Sequence, residues 1–139
     1  MTVIDPERGR PTETIVTSLY PQAPEGSTPN ALALDHTQNI LYIANADNNN
    51  VCVVSVEEPG ESTVLGFLPV GWYPSSVAVS ADGETPYVGN GKGVGHSSAN
   101  QRGPHSPVPA GDGPQAPTKT PMRGAPSLID VPLHRTNLR

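Results

Sequence analysis

The chain has little of what most chemistry and most cores are built from. Among its 139 residues there is one cysteine, one tryptophan and one phenylalanine. A lone cysteine, Cys52, excludes an internal disulfide and a thiolate metal site. Its neighbours Val51, Val53 and Val54 mark it as a buried, inert thiol. No apolar run approaches the ~20 residues that cross a bilayer, so no membrane span is expected. Met1-Thr2-Val3-Ile4-Asp5 turns polar too soon for a signal peptide within this segment. Residues 1–90 carry eleven acids and only Arg8 and Arg10 as bases. That balance argues against nucleic acid as a partner of this part. The bases gather later: residues 91–139 hold six of them against Asp112 and Asp130, which reads as solvated charge.

Bulky apolar residues are also missing from one long stretch. Residues 91–126 contain seven glycines and seven prolines in 36 positions, with Val94, Val108 and Met122 as the only bulky apolar side chains. Such a segment cannot bury enough surface to offset its ordering entropy. About 100 residues remain to build a core.

What those residues contain is a repeat. Pro29-Asn30-Ala31-Leu32-Ala33-Leu34 returns as Pro74-Ser75-Ser76-Val77-Ala78-Val79, and Leu41-Tyr42-Ile43-Ala44-Asn45 returns as Pro86-Tyr87-Val88-Gly89-Asn90. Both matches hold at an offset of 45 residues, with identical anchors at Pro29/Pro74, Ala33/Ala78, Tyr42/Tyr87 and Asn45/Asn90. A period of that size built from short apolar runs predicts a β-propeller, one repeat per blade. The runs at 31–34, 40–44 and 51–54 are nearly continuous rather than alternating. That suits a sheet covered on both faces, as a blade is by its neighbours, better than a sandwich with one wet face.

The register extends outward from the repeat. Residues 51–56 read as a third strand and 62–68 as a fourth. Ser127-Leu128-Ile129-Asp130-Val131 matches Cys52-Val53-Val54-Ser55-Val56, which makes the Gly/Pro-rich stretch an insertion between second and third strands. Thr2-Val3-Ile4-Asp5 is aligned with Val53-Val54-Ser55-Val56, and Thr14-Ile15-Val16 with Ser62-Thr63-Val64. The predicted fold class is therefore all-β, a partial propeller of about two four-stranded blades. Residues 1–28 hold the last strands of a preceding blade, 29–73 a complete blade, 74–131 a second blade interrupted at 91–126, and 132–139 a tail. A propeller needs four or more blades, so the chain reads as a fragment. Taken alone it is expected to be aggregation-prone or loosely folded. Asp82-Gly83 predicts a tight turn, and His36-Thr37-Gln38-Asn39, at the same place without glycine, a looser one.

These repeats resemble the YVTN family of β-propellers. Tyr87-Val88-Gly89-Asn90 and Leu41-Tyr42-Ile43-Ala44-Asn45 stand where the name motif falls, and Val77-Ala78-Val79-Ser80-Ala81-Asp82-Gly83 looks like the strand and turn before it. Val3-Ile4-Asp5 and Leu128-Ile129-Asp130 look like the family's third-strand ending. Gly89 and Ala44 replace the motif threonine. Residues 44–51, 66–74 and 89–93, followed by the Pro/Gly-rich insert, further resemble the YncE-like propellers that precede an alkaline-phosphatase-type phosphoesterase domain in bacterial proteins. The resemblance implies a periplasmic or secreted setting, with the remaining blades and a fused phosphoesterase domain as partners. The metal ligands and nucleophile of that domain would lie outside these 139 residues.

The candidate sites are few. Asn45-x-Asp47-x-Asn49 opens like a calcium loop, but Asn50 and Val56 stand where glycine and glutamate belong. Gly91-Lys92-Gly93 lacks the earlier glycine and the following Ser/Thr of a phosphate loop. His36, His96, His105 and His134 show no ligand spacing, and no serine sits in a nucleophile elbow. No catalytic residue, metal ligand or cofactor is therefore expected in this chain. One pair remains, Trp72-Tyr73, expected in the connection between two blades, where such aromatics form a contact surface or a packing plug. The reading that follows is a non-catalytic binding or scaffold module. Its alternatives are a piece of a lactonase-like propeller hydrolase and a cell-envelope interaction protein.

Overall fold

The computed structural model describes residues 1–20, 22–23, 26–92 and 124–130. They form nine strands: β1 (Thr2–Asp5), β2 (Arg10–Thr14), β3 (Pro29–Asp35), β4 (Ile40–Asn45), β5 (Asn50–Ser55), β6 (Thr63–Pro69), β7 (Trp72–Val79), β8 (Pro86–Lys92) and β9 (Ala125–Leu128). All pairings are antiparallel, in sheets ordered β1-β2, β3-β4-β5-β6 and β7-β8-β9. Among the described residues there is no helix, hence none long and apolar enough to cross a membrane. The architecture is all-β, a partial propeller in which three sheets follow one another face to face.

The second sheet shows why its runs are continuously apolar. Successive side chains of a strand point to opposite faces. Tyr42, Val51, Val53 and Leu68 pack against Val77, Val79, Val88 and Ile129 of the third sheet. Ile43, Cys52 and Val54, on the other face, pack against Met1, Val3 and Ile15 of the first. The runs at 40–44 and 51–54 thus have apolar neighbours on both sides, whereas in the run at 31–34, expected to be covered likewise, Leu32 and Leu34 stay exposed because no described strand lies across from them. The 45-residue offset survives in detail: the register slips between Pro29 and Ala31 in one sheet and between Pro74 and Ser76 in the other.

Hydrogen bonds between sheets lock the stack. Glu13 accepts from the Ser62 amide at 2.6 Å and the Ser62 hydroxyl at 2.8 Å. The Asn45 amide donates to the Thr17 carbonyl at 2.9 Å. At the other seam the two equivalent turns touch: Gln38 donates to the Gly83 carbonyl at 3.3 Å. Gly83 has φ +75°, and a Cβ there would stand 2.5 Å from Asp35 Oδ2. Glycine is the residue that fits.

Four expectations need correcting. The turn at 36–39 is tight, not loose: Asp35 pairs directly with Ile40. Asn39 adopts φ +53°, and Asp35 Oδ1 accepts from the Thr37 amide and hydroxyl. An asparagine in the left-handed region and a capping aspartate replace the glycine. The second difference lies in β1. Val3 faces the second sheet and Ile4 the outside, so Val3 holds the place of Val53 rather than Val54. A one-residue slip exchanges the faces of a strand. Third, the fourth-strand position before residue 29 is β2 at Arg10–Thr14. Its hairpin closes within four residues, so Ile15, bonded to Met1, takes the place of Leu68. Fourth, β9 begins at Ala125, two residues early, although Tyr87 opposite Leu128 repeats Tyr42 opposite Val53 as the alignment requires. The insertion is bounded by β8 and β9; residues 93–123 and the tail from 131 lie outside the described residues.

Candidate functional site

The chain ends a sheet at Pro69, bends at Val70 and Gly71, and starts the next inner strand. The Val70 amide donates to the Asn49 carbonyl at 3.0 Å. Gly71 runs so close to Asn90 that a Cβ would lie 2.7 Å from its side-chain carbon. The bend therefore delivers Trp72 and Tyr73 to a fixed place. Expected in the connection between two blades, they instead open β7, with Trp72 opposite Lys92 at the end of β8.

Tyr73 carries φ +56°, a conformation that a bulky residue rarely adopts. Its amide is held by Asn49 Oδ1 at 2.8 Å. Asn49 is itself left-handed, at φ +52°. Backbone strain of this kind persists where the surroundings over-determine it. The result is that the Tyr73 ring lies under the Lys92 ammonium, 3.9 Å from ring centroid to Nζ. Trp72 stays 42% exposed beside them. The arrangement presents an apolar indole next to a cation over a phenol ring, a surface suited to a flat or acidic group.

The preceding repeat has the same framework with different chemistry. Thr28, one repeat before Tyr73, has φ +46°. Its hydroxyl donates to Asp47, one repeat before Lys92. An aromatic–cation pair thus replaces a hydroxyl–carboxylate pair at the same rung. Sequence reasoning found Trp72 and Tyr73 and missed Lys92 and Asn49. The 45-residue offset held the signal for Lys92, since residues 28 and 47 already form this rung.

The other candidates do not assemble. The Asn45 amide donates to Thr17 and to Asn50 Oδ1, Asp47 accepts from Thr28, and Asn49 Oδ1 accepts from Tyr73, so this stretch is a structural hairpin. His36 is exposed on the tight turn. His96, His105 and His134 lie outside the described residues. Among the described residues no three His, Cys, Asp or Glu side chains gather as a metal site. Burial pushes the Cys52 thiol up to about 12, which keeps it protonated and unreactive at neutral pH. The Asp82 carboxyl is held below its usual range by the Ser80 hydroxyl and the Glu84 amide, as a capped turn requires.

No protein-family model and no curated protein matches the chain. Among solved structures, hydrazine synthase of Kuenenia stuttgartiensis is similar at 26% identity and a TM-score of 0.51, over 65% of this chain and 22% of that one. A functionally unknown protein from Desulfotomaculum acetoxidans DSM 771 aligns at 25% identity and a TM-score of 0.44, over 46% of this chain and 20% of that one. The chain thus spans about a fifth of the length of either neighbour.

Proposed function

We propose that the chain is a non-catalytic propeller segment of the YVTN, YncE-like type, serving as a binding and scaffold module. Its contact point is the rim formed by Trp72, Tyr73 and Lys92. The observation that carries this reading is the strained Tyr73 backbone, which holds a cation–aromatic pair beside an exposed indole. A plug buried between blades would not leave Trp72 open. In the same reading the segment belongs to a larger periplasmic or secreted bacterial protein, with further blades and a phosphoesterase domain as covalent partners. The family resemblance supports that setting, and a neighbour matched over only 22% of its length accords with a module inside a longer chain.

Trp72 is the sole tryptophan, so its fluorescence reports on the rim alone. Phenyl phosphate, a flat anion, serves as probe. Titration should change the emission saturably in the wild type, with at least ~10-fold weaker binding in Lys92→Met. An unchanged emission, or equal response of both proteins, rejects the rim as a contact site. Turnover of p-nitrophenyl phosphate or of a lactone above the buffer rate rejects the non-catalytic reading.

A further inference from the structure

The interface between second and third sheets can be written as two matched faces. One is the row Ala33, Tyr42 and Val53, directly opposite one another across three strands. The other is Val77, Val79, Val88 and Ile129, which cover it. Each face has a counterpart elsewhere in the chain. Ala78, Tyr87 and Leu128 form the same row on the outward face of the third sheet. There Tyr87 is 45% exposed and Leu128 67%, against 1% for Tyr42 and 3% for Val53. The covering set recurs as Leu32, Leu34, Ile43 and Val54 on the second sheet. Ile43 and Val54 are buried by the first sheet, whereas Leu32 and Leu34 are exposed. The molecule therefore shows an uncovered row at one end and an uncovered part of its matching cover at the other.

The first sheet explains why Leu32 and Leu34 stand open. β1 and β2 occupy third- and fourth-strand places, and no described strand fills the two inner places beside β1. β7 and β8 are inner strands of that type. β1 and β9 are interchangeable by pattern: Val3-Ile4-Asp5 repeats Leu128-Ile129-Asp130, and Val3 points the way Leu128 does.

We propose that this chain, wherever the further blades of the proposed parent protein do not occupy those places, associates head to tail with a second copy. β7 and β8 of one copy cover Leu32 and Leu34 of the next and extend its β1-β2 sheet, with β1 taking the place of β9 beside β8. The composite blade is then ordered β7-β8-β1-β2, and Val3 of the second copy lies opposite Tyr87 as Leu128 does within one chain. The contact is heterologous, so both faces of every copy remain usable and assembly continues beyond the dimer. Edge pairing and apolar cover act together in it, as in β-strand addition.

Sedimentation equilibrium on the full chain tests this. Wild-type mass should rise with concentration. Tyr87→Lys and Leu34→Lys change exposed side chains, so each variant should keep its circular dichroism while its self-association weakens by at least ~10-fold. Mixed together, the two variants should form a 1:1 dimer and stop there, because one intact row meets one intact cover. A wild type that stays monomeric overturns the proposal. So does a variant that still associates like the wild type, or a mixture that stays monomeric. Leu128→Lys should associate like the wild type, since β9 leaves the interface; if that substitution blocks assembly, the exchange of β9 for β1 is wrong.

Discussion

The second and third sheets carry the same pattern and live in different surroundings. Tyr42 and Tyr87 occupy one repeat position, as do Val53 and Leu128, yet one of each pair is buried and the other exposed. The difference is not in the residues but in what lies across from them. The second sheet has neighbours on both faces, and the third has one among the described residues. A blade's stability is accordingly a property of its interfaces, as expected for an array in which each unit touches only the next.

The sharpest test of that comparison is truncation of the paired tyrosines. Tyr42→Ala should cost about 3–5 kcal/mol, the range for deleting a large buried ring. Tyr87→Ala should cost under about 1 kcal/mol, because its ring is half in water already. Denaturant unfolding of the two variants under monomeric conditions measures both. Equal losses would mean that the third sheet's outward face is covered in solution, which the head-to-tail contact would also produce at high concentration.

The seam between the two sheets gives the next largest contrast. Gly83→Ala forces a side chain into a left-handed residue and onto Asp35 and Gln38. Gly60 is also left-handed, at φ +87°, but a Cβ there meets nothing within 4 Å. The Gly60 variant should lose about 1 kcal/mol and the Gly83 variant about 2–4 kcal/mol. If thermal melts show the two to be alike, the contact between equivalent turns contributes nothing.

The smallest contrast lies between Cys52 and Ser127, which share a repeat position. Ser127 accepts a hydrogen bond from Asn90 at 2.8 Å, while Cys52 is wholly buried. The folded thiol titrates near 12 and the unfolded one near 9.0. Above pH 9.0 the unfolded chain loses a proton that the folded chain keeps, so stability must fall from there towards pH 12. Below 9.0 both states hold the proton and this group adds no pH dependence. Cys52→Ala should flatten the alkaline fall, seen in unfolding midpoints taken from pH 8 to 11. A thiol reagent at pH 8 should label Cys52 only when the chain unfolds.

Much of this was legible in the linear pattern. The 45-residue offset placed Tyr42 against Tyr87 and put Leu128 at the station of Val53, 75 residues on and across the Gly/Pro-rich insertion. The continuous apolar runs at 40–44 and 51–54 announced strands covered on both faces, while the run at 31–34 did not follow, since Leu32 and Leu34 stay exposed. The slips came where a local pattern admits two readings. Val3 and Ile4 are both apolar, so only the neighbouring sheet decides which faces inward. Asn39 can take the left-handed conformation as glycine does, which no glycine count reveals.

The candidate site divides in the same way. Trp72 and Tyr73 stood out because aromatics are scarce, but their role depended on a partner nineteen residues on. Lys92 reaches Tyr73 only because β7 goes on pairing with β8 past the slip at Pro74, which sets Trp72 opposite Lys92, and because Asn49 fixes the Tyr73 amide. The sequence by itself determined the all-β fold class and the repeat, since both follow from periodicity along the chain. The tertiary structure alone decided which equivalent faces are covered, which turns touch and which cation lies over which ring. These are relations between segments far apart in sequence, and the energy of burial, of a hydrogen bond or of a cation over a ring exists only once both partners are in place.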